Sequence, residues 1–125
     1  MKIENIKFKA KSLDNNGGLA IGDLVHSTSY VGISYPSSVF PDVPVVHRVD
    51  PSTVCMFTGL KDKNGTPIYE GDIVTYKDNN AERRDVIVWD NKSIAFCFGY
   101  GFFLCHFPSE NMEAIGNKYD KEGKV

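Results

Sequence analysis

The chain contains no glutamine, and alanine and leucine together supply only 10 of its 125 residues. With the usual helix formers this scarce, an all-helical fold is excluded at the outset. No window places apolar residues at the i, i+3, i+4, i+7 spacing of an amphipathic helix. A long hydrophobic run is missing as well. The most apolar stretch, Ile94 to Phe107, falls short of the ~20 residues a membrane helix needs and carries Gly99, Gly101 and His106. At the start, Lys2, Lys7, Lys9 and Lys11 interrupt Ile3, Ile6 and Phe8, so the unbroken apolar core of a secretory signal is absent. The expectation is a soluble, intracellular protein. Basic excess is also lacking. The 14 Lys+Arg against 16 Asp+Glu leave a formal charge of -2, which argues against a strongly basic nucleic-acid binder. Cys55, Cys97 and Cys105 are odd in number and have no CxxC spacing, which predicts reduced, buried thiols.

What is present favours sheet. Ile, Val, Thr, Phe, Tyr and Trp total 41 residues, and such side chains suit a pleated, half-buried surface. Eleven Gly and six Pro cut the chain into short segments, and 42% hydrophobic content excludes a mostly disordered chain. Strands are expected over Ile6–Ala10, Leu19–His26, Ser29–Ser34, Val45–Val49 and Thr53–Thr58. Further strands are expected over Ile73–Lys77, Val86–Trp89, Ile94–Phe98 and Phe102–Phe107, with Met112–Tyr119 closing the set. Asp14 to Gly18 reads as a turn, and Tyr35–Pro44, with three prolines, as an irregular loop. Short strands at regular spacing imply a small barrel or sandwich. Gly22-Asp23-Leu24-Val25 echoes Gly71-Asp72-Ile73-Val74, and each reads as a turn leading into a strand.

The motifs that might carry chemistry are mostly eliminated. Gly59 to Thr66 superficially suggests a phosphate loop, but five residues separate its glycines and no lysine precedes Thr66. The calcium-loop pattern lacks its later oxygen ligands and closing glutamate. The Asp62-Lys63-Asn64-Gly65 stretch is better read as a tight turn with Asn64 or Gly65 in the left-handed region. Cys97, Cys105 and His106 are the only clustered zinc-type ligands, yet neighbours in a strand point to opposite faces. His26 and His47 pair with no nucleophile, and no Gly-x-Ser-x-Gly elbow occurs. Carboxylates such as Glu70/Asp72 and Asp85/Asp90 are ordinary in a chain that is 24% charged. No metal or cofactor is expected. One candidate binding surface remains: Lys61, Lys63, Lys77, Arg83 and Arg84 beside the aromatic Tyr76 and Trp89.

From Thr58 the pattern becomes specific. Thr58-Gly59-Leu60-Lys61-Asp62-Lys63-Asn64-Gly65, followed by Ile68-Tyr69-Glu70-Gly71-Asp72-Ile73-Val74, closely resembles the signature of the YopX family of phage and prophage proteins. Ile6–Ala10 resembles that family's opening strand, and Val49–Val54 the run leading into its hairpin. Val86–Asp90 and Glu113–Tyr119 resemble its later strands and closing motif. Lys11 and Ser12 stand where the family often has a tryptophan. The resemblance implies an SH3-like β-barrel in the C-terminal half, residues 51–125, joined to a smaller N-terminal β region over residues 1–50. It also implies a phage or prophage origin, and it brings no catalytic residue or cofactor.

The expected function is therefore that of a non-enzymatic accessory protein, cytoplasmic in a bacterial host, that binds another protein or assembles with itself. A nucleic-acid-associated small barrel is the second reading, and an unrecognised hydrolase the third. A membrane partner is not expected.

Overall fold

Alternation of apolar and polar residues sets the first sheet. The computed structural model describes residues 2–14, 18–99, 101–104 and 107–119, and among these it contains ten strands, short 3-10 turns and no α-helix. No helix among them is long and apolar enough to cross a membrane. The chain divides into two compact units, one running to Met56 and the other from Phe57 to Lys118.

The first unit holds β1 (Phe8–Lys11), β2 (Leu19–His26), β3 (Val31–Pro36) and β4 (Pro44–Arg48). They form an antiparallel meander in the order β4-β3-β2-β1, and the start of β5 (Cys55–Lys61) adds to β1 through the Phe8–Met56 and Lys9–Cys55 pairs. Ala10, Ala20, Ile33 and Val49 are buried on one face, with Phe8, Leu24, Val31 and Val54 packed around them. That set follows the two-residue period: Phe8 and Ala10 point inward, and Lys9 and Lys11 lie on the other face.

Gly22 departs from expectation. It does not start a strand; it sits inside β2, where the strand changes partner. Leu19–Gly22 pair with β1, whereas Asp23–His26 pair with β3. A Cβ at Gly22 would lie 2.2 Å from the Ser34 carbonyl oxygen, so only glycine admits this close approach. The likeness to Gly71-Asp72 is therefore one of sequence alone. The segment read as an irregular loop is also shorter: Pro36 ends β3 and Pro44 begins β4, both at strand termini where a missing N–H costs least.

The second unit contains the rest of β5, then β6 (Pro67–Tyr69), β7 (Asp72–Asp78), β8 (Ala81–Asp90), β9 (Ala95–Phe98) and β10 (Glu113–Asn117). β5 and β6 make a hairpin, and a four-stranded antiparallel sheet runs β10-β7-β8-β9. Ile68 of the hairpin packs with Val74, Tyr76, Ile87, Phe98, Leu104 and Met112 in the buried core. The fold is all-β as expected, with antiparallel strands, but the described strands make no continuous ladder around this core and form no closed barrel. Among the described residues of Phe102–Phe107, none lies in a strand. Phe103 makes an isolated bridge to Cys97, and Leu104 and Phe107 serve the core. Cys105, His106 and Asn15 to Gly17 fall outside the described residues, and with them the zinc argument and the middle of the expected turn.

A lysine-lined groove and an apolar hairpin

The family-like motif is built from backbone satisfaction. Thr58 donates its hydroxyl to the Ile68 carbonyl at 2.7 Å and accepts the Leu60 N–H, holding an irregularity in β5. Asp62 is only 6% exposed. Its Oδ1 accepts the N–H groups of Asn64 at 2.8 Å and Thr66 at 2.9 Å, and its Oδ2 accepts the Ala114 N–H at 2.9 Å. The Lys63 N–H donates to the Met112 carbonyl at 2.9 Å. One carboxylate thus shapes the turn and ties it to the edge of β10. Burial pushes the Asp62 carboxyl up, but the three backbone donors outweigh it and hold it below the ordinary range. Gly65, at φ +80°, occupies the left-handed region the turn requires.

Asp72 is a second such tie. Its Oδ2 accepts the Tyr69 N–H at 2.8 Å, and its Oδ1 accepts the side-chain amide of Asn117 at 2.8 Å. Burial, then the nearby Asp72 charge, raises the Tyr69 hydroxyl above its usual value. Asp85 accepts the neighbouring Val86 N–H, and Asp90 accepts the Ser93 hydroxyl and then its N–H, bonds that hold its carboxyl low. Of the candidate acid–base pairs, Asp72, Asp85 and Asp90 are engaged locally.

Of the seven candidate surface residues, Lys63, Tyr76 and Lys77 come together. With Phe107, Pro108, Glu110 and Asn111 they line an open groove of about 350 Å³. Its floor is aromatic. Tyr76 stacks on Phe98 with ring centroids 3.9 Å apart, and Phe107 meets both rings edge-on at 5.2 and 5.4 Å. Tyr76 is only 2% exposed, so it is core rather than a free stacking platform. Lys63 pairs with Glu113 at 3.4 Å. Arg83 donates from Nε to Asp78 at 3.0 Å, on the face of β8 opposite Tyr76 in register. Arg84 pairs with Thr75 in register and so belongs to the other face. Trp89 packs edge-on against Phe96 and donates to Asn91, and Lys61 is exposed at the end of β5. The seven residues do not make one surface.

A second feature was not foreseen. Between β3 and β4, Val39 is 72% exposed, Phe40 66% and Val43 56%, and Val46 follows on β4. The loop is held in shape. Ser37 Oγ accepts the N–H groups of Val39 and Phe40 at 3.2 Å each, the Val43 N–H donates to the Phe40 carbonyl, and the Ser37 N–H to the Val43 carbonyl. The run Ser37 to Val43 carries two serines and a proline, so it reads as a loop, and burial is what sequence cannot supply. In the same unit His47 stacks on Tyr35 with centroids 5.6 Å apart, lining a separate groove of about 300 Å³ with Ser12 and Ile21.

These two antiparallel units, with a motif given over to turns and strand ties, define an all-β protein without a familiar catalytic layout among its described residues. The chain belongs to the YopX family: the profile described as "YopX protein" matches residues 7–123. Its fold is similar to the crystal structure of protein EF1440 from Enterococcus faecalis, with a TM-score of 0.57 and 19% identity over 94% of this chain and 95% of that one. No curated protein matches it.

Proposed function

We propose that this chain is a non-enzymatic accessory protein of a phage or prophage that acts by binding protein, either a distinct partner or itself. The observation that carries this reading is the β3–β4 hairpin, which presents Val39, Phe40 and Val43 to solvent on a hydrogen-bonded loop. Exposed apolar clusters of this kind mark interaction sites, and a loop already ordered loses little freedom on docking. The phage or prophage origin rests on the family assignment. The non-enzymatic reading is supported by the saturation of Asp62 and Asp72, the buried acids of the family-like motif, by backbone and amide donors. In this reading the second unit is an open relative of the SH3-like barrel, with the Asp62 tie standing in for part of a ladder.

Capture on immobilised wild-type and Phe40→Glu protein from phage-infected cells tests it. Proteins retained by the wild type, lost from the variant and insensitive to nuclease are expected. Retention unaffected by the substitution would refute the reading. The nucleic-acid alternative has the lysines and aromatic floor of the groove in its favour, but Glu110 and the Lys63–Glu113 pair dilute that charge. It predicts nuclease-sensitive retention that falls steeply with salt.

A further inference from the structure

The hairpin and the groove are complementary. Phe40 is the most exposed aromatic ring among the described residues, and two positions on, Asp42 is an exposed carboxylate. The groove has an aromatic floor, and Lys77 lines it. Neither Asp42 nor Lys77 has an ion-pair partner among the described residues. At about 350 Å³ the groove lies at the small end of the range for ligand sites, roughly 300–1,000 Å³, which suits one aromatic anchor better than a cofactor. We propose that this chain associates head to tail with copies of itself. The Phe40 ring of one copy seats in the groove lined by Lys63, Lys77 and Phe107 of the next, and Asp42 meets Lys77.

The inference rests on the protein-binding reading and names the partner. An aromatic side chain entering a concave site with a charged pair at its margin has the anatomy of an interface hot spot. The Lys63 ammonium is already compensated by Glu113, so Lys77 is the cation left for an incoming carboxylate. Because hairpin and groove are different surfaces, two copies can pair reciprocally, each seating the other's Phe40, or the contact can repeat around a ring or along a filament.

Sedimentation velocity on the full chain tests this with two variants and their mixture. Wild-type protein should associate as concentration rises. Phe40→Glu and Lys77→Glu should each weaken association by about thirtyfold or more, as loss of a hot-spot contact does. Mixed in equal amounts, they should form a one-to-one complex that grows no further, since one copy keeps its groove and the other its hairpin. Asp42→Lys should weaken association, and adding Lys77→Glu to the same chain should restore it. A wild type that stays monomeric, a mixture that stays monomeric, or variants that assemble like the parent would overturn the inference. So would a charge swap that restores nothing. If self-association is absent but Phe40→Glu still loses a captured protein, the occupant is that protein and the binding reading stands. If neither assay responds to Phe40→Glu, both fall together.

Discussion

Removing the Asp62 carboxylate should destabilise the second unit more than any other change in the 58–66 turn. The magnitude follows from its three donors. The Ala114 N–H is partly buried on β10, 52 residues away in sequence, and loses its acceptor in Asp62→Ala. A charge-assisted bond of that kind contributes about 1.5–3 kcal/mol. The Asn64 and Thr66 N–H groups lie in an exposed turn where water can replace the carboxylate, so about 0.5–1 kcal/mol each is expected. The total is about 2.5–5 kcal/mol. Asp62→Asn keeps a carbonyl for the turn but turns an amide towards the Ala114 N–H, and should cost about 2 kcal/mol. Trp89, the only tryptophan, lies in the same unit, so its fluorescence in urea reports the relevant transition. The folded-state pKa of Asp62 is lowered, so its contribution is full above the ordinary value of 3.8 and is lost as pH falls through the folded value. The gap between parent and Asp62→Asn should therefore be wide at neutral pH and shrink below that value. A melt of Asp62→Ala within about 0.5 kcal/mol of the parent, the range of ordinary surface changes, would refute the reasoning. So would Asp62→Asn melting below Asp62→Ala.

Other changes should separate in the same assay. Gly65→Ala meets no atom within 4 Å, so its cost should be the left-handed backbone alone, about 1–2 kcal/mol. The double variant Lys61→Ala/Lys63→Ala should stay within about 0.5–1 kcal/mol of the parent, since the Lys63–Glu113 pair is solvent-exposed and worth little. Ile94 is 74% exposed and held at φ +54°, a conformation unfavourable for a β-branched residue. Ile94→Asn should raise stability by about 1 kcal/mol, read as a higher urea midpoint with unchanged slope.

Much of the fold was legible because strand alternation is a local signal. β2 spans Leu19–His26 as read from sequence, and the strands at β7, β8, β9 and β10 fall where apolar, β-branched runs placed them. β6 escaped because it has three residues and opens on Pro67, leaving little pattern to read. The described residues of Phe102–Phe107 depart from expectation for the opposite reason, since Leu104 and Phe107 pack on the core without joining a strand. In the motif, the turn at Gly65 could be read from residue type, whereas the remote partners of Asp62 and Asp72, Ala114 and Asn117, could not. The basic residues of β7 and β8 lie close in sequence, but alternation divides Lys77 and Arg84 from Arg83. The hairpin was passed over because serines and prolines mark a loop and say nothing about what the loop exposes.

The central claim is that the family-like motif is scaffold and that contact with other molecules is made through the hairpin and the groove. Amide hydrogen exchange at low and high protein concentration tests it most directly. The account predicts concentration-dependent slowing over residues 37–43 and 107–111, with residues 58–66, apart from Lys63 at the groove margin, unchanged. Slowing confined to 58–66 would contradict it, and no change at any concentration would contradict self-association through these surfaces.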